Sequence, residues 1–312
     1  LSDICEAADR KIVLMIDEVD SAANNQVFID FLAQLRAQYL DREFYPGFQS
    51  VILAGVYDIK NLKRKLRPEE GHRYNSPWNI AADFSIEMSF SESEIAGMLQ
   101  EYESDHRTGM NISKMSELLY AYTAGYPFLV SRICQLMDER VRDEYENLKL
   151  VWTENGFNEA VRILLAEKNP LFESLVGKIC DYPELSVMLK TLLFTGRNIA
   201  YNPDETSIDM AQMFGFIKNQ NGNVVIANRI FETRLYNYYL TEAKMQQTEI
   251  YKAALQDKSQ FIVNGYLDME RILERFVVHF HDIYGESDEK FLEEQGRKFF
   301  LLYLKPIING YR

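Results

Sequence analysis

Ile12-Val13-Leu14-Met15-Ile16-Asp17-Glu18 sets five apolar residues directly before two acids. Adjacent carboxylates at the end of a buried strand suit two tasks. One is hard oxygen ligation of a divalent cation, and the other is orienting a water or taking its proton. If the strand lies in a parallel sheet, the pair falls at its carboxyl edge, where such folds bind ligands. Asp20 adds a third acid. An ordinary buried strand ending in solvated acids carries the same pattern. Ser50-Val51-Ile52-Leu53-Ala54-Gly55-Val56-Tyr57-Asp58 is a second apolar run with polar groups, Tyr57 and Asp58, at its end. Lys60, Lys63, Arg64, Lys65 and Arg67 crowd one short window, with Arg73 close behind. Such a cluster serves either as a solvated basic face or as an anion contact. Arg132 follows Gly125-Tyr126-Pro127 in a helix opening, where an arginine either contacts a ligand or snorkels from a core helix. His279 and His281 are two apart, so on a helix their rings diverge, which argues against a metal site. Trp78 is read as a loop anchor in preference to a base-stacking group.

These residues need elements to position them. The apolar runs 12–16 and 51–54 predict strands buried on both faces of a parallel sheet, joined by an amphipathic helix bearing Val27, Phe28, Phe31, Leu32, Leu35 and Tyr39. Phe84, Ile86, Met88 and Phe90 alternate as a third strand. Beyond that the pattern turns helical. Ser91-Glu92-Ser93-Glu94 has the capping-box form, and Pro127 suits the first turn of a helix. Further amphipathic stretches cover roughly 157–168 and 170–180. A helix near 185–192, a short helix 206–213, a hairpin around Asn219-Gln220-Asn221-Gly222-Asn223 and a helix capped by Asn228 give the order of a winged-helix domain. Residues 243–305 read as helical, and Lys305-Pro306 to Arg312 as turn chemistry. The expected class is α/β and then mainly α: a partial parallel sheet over 1–90, a helical lid over 91–182, a winged helix over 183–242, and helices over 243–312.

Composition narrows the function. Among 312 residues, 34 Lys and Arg face 47 Asp and Glu, a formal net charge of −13. That balance argues against sequence-independent phosphate binding. Thr206 to Met213, the segment of a winged helix that enters the major groove, holds no Lys or Arg and one Asp, so sequence-specific DNA reading is not expected of it. No apolar run approaches the ~18 residues a membrane span needs. Three dispersed cysteines, an odd number, fit a reduced cytoplasmic compartment.

Val13-Leu14-Met15-Ile16-Asp17-Glu18-Val19-Asp20, Val51 to Asp58, Asn75-Ser76-Pro77-Trp78-Asn79-Ile80 and Gly125-Tyr126-Pro127-Phe128-Leu129-Val130 together resemble the AAA-like ATPase domains of bacterial proteins whose carboxyl-terminal part is similar to a PD-(D/E)XK nuclease. Phe299 to Gly310 is similar to the segment leading into that nuclease core. The resemblance implies a P-loop NTPase fold with ATP and Mg²⁺ as cofactors and a lid followed by a winged helix. Asp17 then acts on the metal as the Walker B acid, and Glu18 is the catalytic base. Tyr57 or Asp58 is the sensor 1 group and Arg132 the sensor 2 arginine. Arg64, Arg67 or Arg73 is an arginine finger reaching a neighbouring subunit, which implies a homo-oligomer.

The chain departs from that family in one respect that matters. No Gly-x-x-x-x-Gly-Lys-Ser/Thr occurs in it. The backbone N–H groups that cradle a triphosphate are therefore missing, and the nuclease motif, an Asp followed by a Glu-x-Lys strand, is expected beyond Arg312. Both ends predict an internal piece of a longer ATPase, with weak or absent nucleotide binding by this piece. A non-catalytic interaction or regulatory module of a larger nuclease-like protein is the alternative.

Overall fold

The structure is a computed structural model that describes residues 2–19, 25–55, 88–142, 148–194, 198–241, 247–257, 261–263, 266–284 and 289–309. The chain divides into two compact units, residues 1–87 and 88–312.

In the first unit, helix α1 (Ser2–Glu6) precedes strand β1 (Val13–Ile16), helix α2 (Gln26–Leu40) and strand β2 (Ser50–Leu53). β1 and β2 pair in parallel, Val13 opposite Ser50 and Ile16 opposite Leu53. A parallel pair needs a crossover, and α2 supplies it. Asn25 starts that helix by accepting a hydrogen bond from the Val27 N–H at 2.9 Å. Leu32 and Leu35, one turn apart, are buried against Leu14, Ile16, Val51 and Leu53. The expectation of strands buried on both faces is not met. Both strands alternate exposed and half-buried residues, and Val13, Met15 and Ile52 on the far face are 46%, 72% and 41% exposed. The continuous apolar run reads as doubly buried, yet among the described residues only α2 covers this pair. The expected third strand falls largely outside the described residues. Residues 84–87 lie outside the described set, and 88–90 form no strand. Instead the Phe90 N–H donates to Gly125 C=O at 2.8 Å.

The second unit is built of helices around one core. α3 (Glu92–His106) and α4 (Ile112–Thr123) form a hairpin whose inner faces carry Ile95, Leu99, Met115 and Leu119. α3 opens with the expected capping box, since Glu94 N–H reaches Ser91 Oγ while Ser91 N–H reaches the Glu94 carboxylate. α5 (Pro127–Leu136) starts on its proline and continues as a π-helical turn, Met137–Val141. α6 (Leu148–Val151), α7 (Glu154–Ala166) and α8 (Pro170–Asp181) follow, then α9 (Pro183–Phe194) and α10 (Thr206–Met213). The hairpin β3 (Ile217–Gln220) and β4 (Asn223–Ile226) turns on Asn221 and Gly222, at φ +54° and +79°. Two successive positive φ values suit the twist of a two-residue hairpin, and Asn and Gly tolerate them. Ala200 bridges to Asn223 beside it. α11 (Arg229–Leu240) is capped by Asn228, as its sequence predicts, and buries Phe231, Leu235 and Tyr239.

The tail differs from a run of helix. α12 (Glu249–Asp257) leads into a short hairpin, β5 (Ile262–Val263) with β6 (Tyr266–Leu267), before α13 (Met269–Tyr284) and α14 (Glu289–Asn309). The expected turn at 305–309 is helix instead, with Pro306 inside it. A proline there costs one backbone hydrogen bond. Burial of Leu302, Tyr303 and Ile307, each at most 1% exposed, holds the helix through it.

Carboxylates pin several of these joints, and they set an expected pH response. The Glu103 carboxylate accepts from Thr108 N–H (3.0 Å), Gly109 N–H (2.8 Å) and the Thr108 hydroxyl, closing the α3–α4 loop. Those donors hold Glu103 below the usual glutamate pKa, and hydrogen bonds from the Ser91 backbone and hydroxyl do the same for Glu94. A depressed folded pKa gives stability that is present above the unfolded value, about 4.3, and lost as pH falls through the folded one. Urea titrations across pH 3–7 are expected to show this acid loss. Glu103→Gln is expected to make it shallower, and an unchanged slope refutes the role given to Glu103.

Candidate functional site

The site is built where β1 runs out. The parallel ladder predicts that Ala54, next in register opposite Asp17, donates to Ile16 C=O and accepts from the N–H of residue 18. Ala54 N–H does donate to Ile16 C=O at 2.9 Å, but its carbonyl accepts from Val19 N–H at 3.1 Å. One extra residue is therefore accommodated in β1's continuation, a bulge at Asp17-Glu18. The displaced Glu18 N–H turns to its neighbour's side chain, donating to Asp17 Oδ1 at 2.8 Å. Glu18 adopts φ +52°, a left-handed conformation that costs a non-glycine residue on the order of 1 kcal/mol. Val19, 2% exposed, then re-enters the packed layer and anchors the far side of the bulge. Both acids are solvent-exposed. Asp17 Oδ1 is engaged by Glu18 N–H, so its second oxygen is the one turned to other work.

The other candidate residues do not assemble into one described site. Tyr57, Asp58, Arg64, Arg67 and Arg73 lie outside the described residues, as do Asp20 and Trp78. Arg132 belongs to the second unit, on α5, where its guanidinium pairs with Glu167. Arg132 Nε donates to Glu167 Oε2 at 3.2 Å and Nη1 to Gln135 Oε1 at 2.8 Å. The hydrogen bonds that Arg132 donates to the Glu167 carboxylate raise the arginine's pKa further. Sequence reading missed Glu167 because it lies 35 positions away at the end of α7, with no local signal to join the two. His279 is set beside the Tyr303 ring at 5.8 Å. Among the described residues no three His, Cys, Asp or Glu converge on a metal-sized site, and no helix is long and apolar enough to cross a membrane.

No family model matches the chain, and no curated protein matches it. Among solved structures, a Walker-type ATPase of Pyrococcus abyssi is similar at a TM-score of 0.49 and 13% identity. The similarity covers 75% of this chain and 65% of that one, so this chain spans about two thirds of that protein's length.

The donor chemistry of the bulge can be tested on its own terms. Two exposed carboxylates, one with an uncommitted oxygen, are hard ligands of the kind Mg²⁺ takes. Mg²⁺ commonly binds one or two carboxylates and completes its shell with water and substrate phosphates. The oxygens therefore fit the metal. The triphosphate has no such counterpart, because the chain lacks a P-loop sequence and the two acids repel a polyphosphate unless a cation lies between them.

Proposed function

We propose that this chain is part of an AAA-like ATPase, with residues 1–90 contributing the Walker B half of its nucleotide site. The observation that carries this reading is the bulge, which takes Asp17 and Glu18 out of the ladder at the carboxyl edge of a parallel strand pair. Bulges re-aim side chains and are frequent next to active sites, and a left-handed non-glycine residue carries a conformational cost of the kind that collects at functional sites. In this reading Asp17 would hold Mg²⁺, whose chemistry there would be to neutralise charge on a transferring phosphoryl group. Glu18 orients the attacking water and takes its proton.

The remaining assignments are part of the same proposal. Tyr57 or Asp58 acts as sensor 1, Arg132 as sensor 2, and Arg64, Arg67 or Arg73 as the finger offered to a neighbouring copy in a homo-oligomer. Residues 91–182 act as the lid. Residues 183–242 act as a winged helix whose order α9, α10, hairpin, α11, with Ala200 bridged to Asn223, follows that motif. The lid and winged helix move with nucleotide state. Residues 243–312 lead toward a nuclease-like domain, and the protein works in the cytoplasm.

Calorimetry tests the reading on residues 1–312. Mg-ATP is expected to bind more weakly than about 1 mM, because the loop whose N–H groups and lysine hold the phosphates is absent. Micromolar binding would put the nucleotide site elsewhere in the chain and remove Asp17 and Glu18 from it.

A further inference from the structure

α13 carries two apolar strips, and the core uses only one. Ile272, Phe276 and Phe280 are 0%, 9% and 3% exposed and belong to the core of the second unit. Next to them round the helix run Met269, Leu273 and Val277, at i, i+4 and i+8, which are 42%, 47% and 49% exposed. Tyr266, at the start of β6 just ahead of the helix, is 78% exposed. At about 100° and 1.5 Å per residue, Met269 to Val277 is a stripe about 12 Å long over two turns.

Its flanks differ in charge. One side is the core itself. On the solvent side stand Glu270 and Glu274, about 60° and 100° round from Leu273. Both are exposed, and neither makes an ion pair among the described residues. Arg271 and Arg275 sit about 160° from Leu273, on the opposite side of the helix. A body lying along the stripe therefore meets apolar side chains in the middle and two carboxylates at its outer edge.

We propose that this stripe docks a basic amphipathic helix of a partner protein, one with apolar residues at i, i+4 and i+7 and Lys or Arg along the edge that meets Glu270 and Glu274. Charge decides between the occupants. A second copy packed antiparallel about a two-fold axis near Leu273 sets Glu270 and Glu274 against the same pair of its mate. An anionic membrane surface meets the same repulsion. A basic helix turns both carboxylates into ion pairs. This inference is independent of the ATPase reading.

The test uses the full chain and two labelled 15-residue peptides with identical leucines at helical spacing, one filled with lysine and the other with glutamate, followed by fluorescence anisotropy. On the natural chain the lysine peptide is expected to bind about 10-fold or more tightly than its glutamate twin. Leu273→Ser is expected to weaken the lysine peptide about 10-fold, and Glu270→Lys with Glu274→Lys to invert the order of the two peptides. All three positions are exposed, and circular dichroism checks that the variants fold. Equal affinity of both peptides, or an order unchanged by the double charge reversal, overturns the proposal. So does a concentration-dependent dimer that Leu273→Ser abolishes, which would give the stripe to a second copy.

Discussion

Glu18→Gln, placed in a protein extended upstream through a phosphate-binding loop, is expected to keep Mg-ATP binding within a few-fold and to slow hydrolysis by about 10²–10⁴, the range that general base catalysis supplies. Glutamine has nearly the same shape and still accepts a hydrogen bond from the water, but it does not take the proton. The Glu18 hydrogen bond to Asp17 comes from its backbone N–H, so the substitution leaves that contact in place. Asp17→Asn in the same protein is expected to act differently. It removes charge from the proposed metal ligand and so weakens the Mg²⁺ dependence of binding itself. Single-turnover hydrolysis and calorimetry separate the two effects. Unchanged turnover in Glu18→Gln takes Glu18 out of the base role.

Gly125→Ala is expected to destabilise the second unit by about 3 kcal/mol or more, combining a left-handed residue with a backbone clash. Gly125 sits at φ +76°, and a Cβ there would lie 1.8 Å from Phe90 O and 2.8 Å from Phe90 C. Backbone cannot yield as a flexible side chain can, so the Phe90 N–H bond to Gly125 C=O, 2.8 Å long, has to break. The Thr123 hydroxyl also accepts from Gly125 N–H at 3.1 Å, so the turn between α4 and α5 is held from both sides of that residue. Gly97 and Gly177 are the controls. Both lie within helices with nothing inside 4 Å of an added Cβ, so alanine at either is expected to stabilise by about 0.5–1 kcal/mol. Urea midpoints of the three variants make the comparison. A Gly125→Ala protein within 1 kcal/mol of its parent would mean that the α4–α5 turn relaxes freely.

Much of this chain is written locally, and that part is legible from sequence. Ser91 and Glu94 lie three residues apart because their groups satisfy each other across one helical turn. Pro127 begins α5, Asn228 caps α11, and Asn221-Gly222 turns the β3–β4 hairpin, each through its own backbone preference. The pairing of β1 with β2 is legible too, since two apolar runs separated by one amphipathic helix leave a parallel crossover as the short solution. That two acids end the first of those strands is likewise visible in the order of the residues.

What tertiary structure alone decides involves partners distant in the chain. Hydrophobic patterning states that a side chain is apolar, not whether a second layer covers it, so Val13, Met15 and Ile52 read as buried and are exposed. The bulge at Asp17-Glu18 exists because Ala54, far along the chain, bonds Ile16 and Val19 instead of Ile16 and Glu18. Arg132 meets Glu167 through the packing of α5 beside the end of α7. Pro306, which locally predicts a stop, stays helical because Leu302, Tyr303 and Ile307 gain more by burial than the missing N–H costs. Sequence alone therefore determined the β1–α2–β2 order, the caps of α3 and α11, the start of α5 and the acids. The geometry of those acids came from contacts between residues whose separation along the chain carries no local signal.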